Sequence, residues 1–270
     1  NVPDTVKKLL NNHKMLELGL RRAQGPDGAL SASKYAIMGG FNITSNIQAS
    51  KELNIQQSGT MSHALVLSYV DSITKYQHPT YTEPLLKNFN FQQFVQKLLF
   101  WKKMLFNKDS SSINNNFPLF NKYEANNSEL TAFAVFAFTQ ATNFVALIDS
   151  YNTISSGMMN FLIVACALTE FGVQSAGIRL DSGDLCNLSQ KCRNLLTKVN
   201  NALQCYYKEL QQPYDNLISD VKIIASNDIT EEQLVHFNQN GAAIDTYGIG
   251  THLVTCKVQP SLGGVYKLVQ

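Results

Sequence analysis

Four short apolar runs in the second half of the chain each end on a polar or glycine-rich corner. They are Asn143–Ile148 ending at Asp149, Ala176–Leu180 ending at Asp181, Val221–Ala225 ending at Ser226-Asn227-Asp228, and Ala242–Tyr247 ending at Gly248-Ile249-Gly250-Thr251. Helical patterns follow the first three. Ile154, Met158, Phe161, Leu162 and Ala165 recur at helical spacing and predict one apolar face; a second helix runs from Leu185 past Leu196. Asp228 with Glu231 three residues on reads as a capping box for a helix over Ile229–Phe237. Nearer the N-terminus, Ile55–Ser58 ends at Gly59-Thr60 before a helix over Met61–Tyr69. Continuous apolar strands alternating with helices imply a parallel sheet covered on both faces. In such sheets the chemistry sits at the carboxyl ends of the strands. Several strands contribute polar ends and no G-x-G-x-x-G occurs, so the expectation is an α/β barrel.

At 270 residues the chain suits one large domain, and residues 1–270 are read as a single barrel. The rhythm breaks at about 76–128, which is expected to be a surface insertion. Within it Phe91–Phe106 has an amphipathic helical pattern, and Asn107–Asn127, rich in Asn, Ser and Lys, reads as a mobile surface loop. With 44% apolar residues a sizeable core is available. The balance of 22 basic against 20 acidic residues, without a basic patch, argues against nucleic acid as a partner. No apolar run reaches membrane-span length and no signal-peptide layout opens the sequence. Five cysteines with no C-x-x-C pair point to reduced core thiols and a cytoplasmic protein, not to a disulfide framework or a zinc site.

The run Gly177-Ile178-Arg179-Leu180-Asp181-Ser182-Gly183-Asp184 is the richest in chemistry. Arg179 can grip a planar carboxylate with two parallel hydrogen bonds. Asp181 and Asp184 can hold sugar hydroxyls or a metal ion. The same residues also read as an ordinary strand–turn–helix corner, with Ser182 or Asp184 as N-cap and Arg179 in an ion pair. Among the five histidines, His13, His78 and His236 read as surface or core residues, and His252 lies near a possible phosphate turn. His63 stands apart: on the first turn of a helix after a strand end, it can act as acid, base or nucleophile. Gly248-Ile249-Gly250-Thr251 offers unobstructed backbone N–H groups and a hydroxyl, which suits a phosphate. Arg21-Arg22 before Pro26-Asp27-Gly28 is either a solvated corner or a grip on an anionic ligand.

Together these segments resemble the nicotinate phosphoribosyltransferase family. The resemblance rests on Gly19–Gly28, Gly39-Gly40-Phe41 with Thr44-Ser45-Asn46, Gly59-Thr60-Met61-Ser62-His63, Gly177–Asp184, Ser226-Asn227-Asp228, Gly248–Thr251 and Gly263–Val269, in family order. It implies an irregular TIM-like (β/α) barrel of the type II phosphoribosyltransferase kind. The implied reaction joins nicotinate to 5-phosphoribosyl-1-diphosphate, with magnesium and with ATP hydrolysis driving it, in a homodimer whose active sites are shared. By the same resemblance His63 is the phosphorylated histidine, and Arg179, Thr60 and Arg21 line the nicotinate site. Thr251, Gly250, Gly248, Asp184 and Asn227 are assigned to the phosphoribosyl group and Asp181 to catalysis; Asp181 and Asp184 sit where ribose hydroxyls and magnesium are expected, and no metal site is assigned to protein groups alone. An N-terminal family segment that stacks an aromatic residue on the pyridine ring has no counterpart here, so residues 1–270 alone are expected to be inactive. The rival readings are a nicotinamide-using relative, a barrel glycosidase acting through Asp149 and Asp181, and a non-catalytic relative.

Overall fold

The computed structural model describes residues 13–76, 90–106, 125–175, 177–215 and 218–255. His78, Cys256, residues 107–124 of the Asn-rich stretch and the Gly263–Val269 motif lie outside them. In chain order the elements are β1 (Lys14–Glu17), α1 (Gly25–Met38), β2 (Ile43–Thr44), α2 (Ile47–Leu53), α3 (His63–Leu67), α4 (Phe91–Phe106) and α5 (Asn127–Thr139). There follow β3 (Val145–Leu147), α6 (Met159–Thr169), β4 (Gly177–Leu180), α7 (Leu185–Glu209), β5 (Lys222–Ser226), α8 (Glu231–Gln239), β6 (Thr246–Ile249) and α9 (Thr251–Val254). The chain divides into two compact units. The first takes the described residues up to Gly59, Leu180–Gln190 and those from Lys222 onward; the second takes Thr60–Arg179 and Lys191–Val221.

The first unit is built on a parallel ladder in the order β2-β1-β6-β5. Leu16 stands opposite Ile43 on one side and Gly248 on the other, and Ala225 opposite Tyr247. All four residues of β6 are buried, as a central strand of a covered parallel sheet requires. The fold is therefore α/β with parallel strands, and among the described residues the ladder of this unit does not close into a barrel. The expected strand over Ile55–Ser58 reduces to one bridge between Thr44 and Gln57. The expected capping box also moves: Thr230, not Asp228, caps α8, with Gln233 reciprocating. Asn227 and Asp228 have φ of 100° and 47°, so the chain is still turning there and the helix can start only later. In the last run, Ala242 N–H closes α8 onto Phe237 O and Asp245 Oδ2 accepts from Ile223 N–H at 2.7 Å. Those residues form the corner, and the strand begins at Thr246.

Most of the buried apolar side chains among the described residues belong to the second unit. β3 pairs with β4 in parallel, with Leu147 opposite Arg179. The helix expected over Phe91–Phe106 is α4, whose Phe91, Phe94, Leu98, Trp101 and Leu105 are all buried. That face and α5 both pack on α6. The sequence predicts one apolar face for α6, but Met159 through Leu168 are all buried, because helices cover it on more than one side. Phe144 stacks on Phe161 at 5.8 Å between ring centres. Each such fully buried side chain contributes roughly 1.5–3 kcal/mol.

The connection from β3 to α6 begins with a six-residue π turn, Thr153–Met158, capped by Asn152, whose Oδ1 accepts from Ile154 and Ser155 N–H. Gly157 in this turn lies so close to Ile148 that a Cβ would overlap its carbonyl oxygen and carbon. Glycine is thus required by close approach. Gly157→Ala is expected to destabilise the protein by about 1–3 kcal/mol or more, as overpacking against rigid backbone does. Urea denaturation checks this, and an unchanged midpoint would refute the contact.

Candidate functional site

Within the second unit, two pairs of sequence-predicted residues come together. Arg179, near the end of β4, donates from Nη1 to Thr60 Oγ1 at 3.0 Å, across 119 residues of sequence. The hydroxyl fixes the plane of a guanidinium, the group that binds carboxylates through two parallel N–H donors. His63, the first residue of α3, meets Asp149 just beyond β3, with Nε2 to Oδ1 at 3.0 Å. The imidazole is 26% exposed and the carboxylate 1% exposed. A carboxylate on Nε2 selects the tautomer with that nitrogen protonated and turns the Nδ1 lone pair outward for chemistry. Ser62 caps α3 by accepting from Leu65 N–H, which sets the orientation of the helix start bearing His63.

Behind Asp149 lies a carboxyl that sequence reasoning missed. Glu129 is fully buried at the start of α5 and accepts from Ser156 Oγ at 2.6 Å and Asn160 Nδ2 at 3.0 Å. Burial pushes its carboxyl up to about 7, the two hydrogen bonds oppose that rise, and the charge on Asp149 adds to it. Glu129 three residues after Asn126 looks like a capping signal, and Asn126 does cap α5. The clue to its other role was that it is the only charged residue in a helix that reads apolar all round.

Within the first unit, Asp181 accepts a short hydrogen bond from Ser226 Oγ, joining the turn after β4 to the end of β5. Asp184 caps α7: Oδ1 accepts from Asn187 N–H at 3.1 Å and its carbonyl from Leu188 N–H at 2.9 Å. Asn227 is exposed in its unusual backbone conformation beside Ser226. Gly248 lies inside β6, where a Cβ would meet Leu18 Cδ1 at 2.7 Å, and at Gly250 it would meet Leu18 O at 2.7 Å. The spacing Gly-x-Gly thus serves the approach of β6 to the chain after β1, and Thr251 and His252 open α9.

Arg21 and Arg22 lie on a 3-10 turn, Leu20–Arg22, directly after β1. The turn is held by the buried Glu17, which accepts from Gly19 N–H, from Ser33 Oγ at 2.8 Å and from Thr44 Oγ1 at 2.6 Å. Glu17 too was unread in the sequence, where it is one acid in a four-residue strand. The four described cysteines carry free thiols, three of them buried. Among the described residues no three His, Cys, Asp or Glu side chains converge on a metal position, and no helix is long and apolar enough to cross a membrane.

The chain is 41% identical over 262 residues to Nicotinate phosphoribosyltransferase 2 of Arabidopsis thaliana, and 39% identical over 260 residues to Nicotinate phosphoribosyltransferase of Caenorhabditis elegans. Each match covers 95% of this chain and 42% of the relative, so the chain spans less than half the length of these proteins. Its fold is similar to the crystal structure of human nicotinic acid phosphoribosyltransferase, with a TM-score of 0.67 and 28% identity, covering 96% of this chain and 49% of that one. No protein-family model matches the chain.

The Glu129 carboxyl has a consequence for stability. The unfolded chain releases this proton around the ordinary value of 4.5 and the folded one near 7. Between the two, the native state holds a proton that the unfolded state has lost, so stability falls as pH rises. The contribution is full below about 4.5 and gone above about 7. Glu129→Gln, which cannot titrate, is expected to remove a slope amounting to at most about 3 kcal/mol over that window. Denaturation midpoints measured across the window check this; parallel curves for the two proteins would refute it.

Proposed function

We propose that the protein is a nicotinate phosphoribosyltransferase, forming nicotinate mononucleotide and diphosphate from nicotinate and 5-phosphoribosyl-1-diphosphate, with hydrolysis of ATP. The observation that carries this reading is the Arg179–Thr60 pair, a carboxylate-binding group held by a hydroxyl, in a chain whose relatives are named for nicotinate. The pyridine nitrogen attacks the anomeric carbon as the bond to diphosphate breaks. The chemistry asks of the protein mainly positioning and charge stabilisation. Arg179 with Thr60, and Arg21, are assigned to nicotinate. Thr251, Gly250, Gly248, Asp184 and Asn227 are assigned to the phosphoribosyl group, and Asp181 to the developing positive charge on the ribose. The described residues contain no ready-made set of metal ligands. Magnesium is read as arriving on the diphosphate, as this ion commonly does. The finer reading also includes an irregular barrel of the type II phosphoribosyltransferase kind spanning residues 1–270, an insertion at about 76–128, a cytoplasmic location and a homodimer.

His63 is read as the group that couples ATP to this reaction. With Nε2 on Asp149, the Nδ1 lone pair attacks the γ-phosphorus, the bond to the leaving ADP breaks, and the ring becomes a phosphorylated cation balanced by Asp149. Water later takes the phosphoryl group and returns the neutral ring.

Arg179→Lys in the full-length protein is expected to weaken nicotinate binding by roughly 2–5 kcal/mol, since an ammonium cannot form the bidentate grip. An unchanged KM for nicotinate would reject the assignment. His63→Ala is expected to abolish ATP hydrolysis and acid-labile phosphate incorporation while leaving slow, ATP-independent transfer. In the wild type the phosphate should sit on Nδ1, a point that phosphorus NMR of the trapped intermediate decides. Hydrolysis still in step with product formation in the mutant would remove the coupling role from His63.

A further inference from the structure

Glu129 belongs to α5, which packs against α3, α4 and α6. Its Oε2 takes both hydrogen bonds, from Ser156 and Asn160, while Oε1 has no hydrogen-bond partner among the described residues. The same two side chains also hold the backbone of Asn126: its N–H donates to Ser156 Oγ at 2.9 Å, and its carbonyl accepts from Asn160 Nδ2 at 2.8 Å. One carboxyl thereby joins the start of α5, the π turn Thr153–Met158 and the first turn of α6. That π turn follows Asp149 closely, and Gly157 within it abuts Ile148, the residue before Asp149. The strand end that presents Asp149 to His63 is therefore backed by the Glu129 network.

We propose that Glu129 is a positioning residue for the Asp149–His63 pair: a buried, proton-bearing carboxyl that fixes the turn behind Asp149 and keeps the negative charge there single. The proton belongs on Oε1. Oε2 already accepts twice, and a bare hydroxyl costs less in the interior than a bare anionic oxygen. The ionisable groups on the elements packed around α5 are His63 on α3, Asp71 and Lys75 beside it, Lys97, Lys102 and Lys103 on α4, and Cys166 and Glu170 on or just after α6. Asp149 follows β3. Lys97 is engaged by Glu170 at 2.9 Å, Lys102 by Asn127 at 2.6 Å and Lys75 by Asp71 at 3.7 Å. The charge that bears on Glu129 is that of Asp149. Loss of the Glu129 proton places a second anion behind an imidazole that is to receive an anionic phosphoryl group, and like charges in a buried site oppose that transfer. The inference thus rests on reading His63 as the phosphoryl acceptor.

The test is the pH profile of ATP-coupled turnover in the full-length protein. Glu129→Gln keeps an accepting oxygen toward Ser156 and cannot ionise. The carboxyl is pushed up to about 7. Wild-type kcat should therefore fall about tenfold between about pH 6 and about pH 8.5, the equivalent of one pKa unit of coupling. Glu129→Gln should fall less than about twofold over the same range, with KM for nicotinate equal in the two proteins. Glu129→Ala, which removes the acceptor, should lower kcat about tenfold already at about pH 6 with KM for nicotinate unchanged. Superimposable profiles of the wild type and Glu129→Gln would overturn the proposal, as would an alanine variant that changes only KM for nicotinate. If the wild type makes no nicotinate mononucleotide, the functional reading itself fails, and proton NMR then decides the role of Glu129 alone. The His63 N–H resonance bonded to Asp149 should survive above about pH 7 in Glu129→Gln and be lost in the wild type. Equal persistence in both proteins would refute the positioning role.

Discussion

A carboxyl group taken out of water must recover its lost hydration from donors in the protein. Among the described residues, three fully or almost fully buried acids impose that demand: Glu17, Glu129 and Asp149. Their partners come from segments far apart in sequence. Glu17 collects Ser33 from α1, Thr44 from β2 and the amide of Gly19; Glu129 collects Ser156 and Asn160; Asp149 meets His63 across 86 residues. Each of these donors counts, because losing one removes a hydrogen bond to a buried carboxyl, about 1.5–3 kcal/mol where that group is charged. The polar corners beyond the strands are thus held by local networks as well as by the apolar core beneath them.

That explains which parts of the fold were legible. The run at Val145–Leu147 is apolar throughout, and those at Gly177–Leu180 and Lys222–Ser226 are apolar apart from Arg179, the exposed Lys222 and the closing Ser226, so successive burial leaves its mark in composition. β1 and β2 were not read as strands. Lys14–Glu17 opens on an exposed lysine and closes on a buried glutamate, and Ile43–Thr44 has only two residues, so neither shows a periodicity. The α8 cap was misplaced by two residues because two acids offer the same pattern, while backbone turning at Asn227 and Asp228 decides between them. Residue identity alone does not display φ.

In the candidate site, what could be read was what a side chain does by its own chemistry. Arg179 and His63 stand out because guanidinium and imidazole have few ordinary uses at a strand end, and both have their partners within the second unit. Pairing was harder to read. Asp149 was weighed only as a glycosidase acid, yet its side chain is 1% exposed and engaged with an imidazole, an arrangement that orients a base better than it protonates an incoming sugar. Asp184, considered as a sugar or metal ligand, uses one carboxylate oxygen to cap α7. Glu129 was hidden by its place beside an N-cap, where an acid needs no special explanation.

The approach of Gly248 and Gly250 to Leu18 fixes more than local packing. At that corner the spacing between the chain leaving β1 and the chain leaving β6 is set by backbone atoms and one leucine side chain, with no room for an added methyl group. A dimension set in this way does not drift as surrounding side chains are exchanged. Any selectivity that develops around the segments leading to Arg21 and to Thr251 must come from the residues beyond the glycines, acting within a frame of constant width.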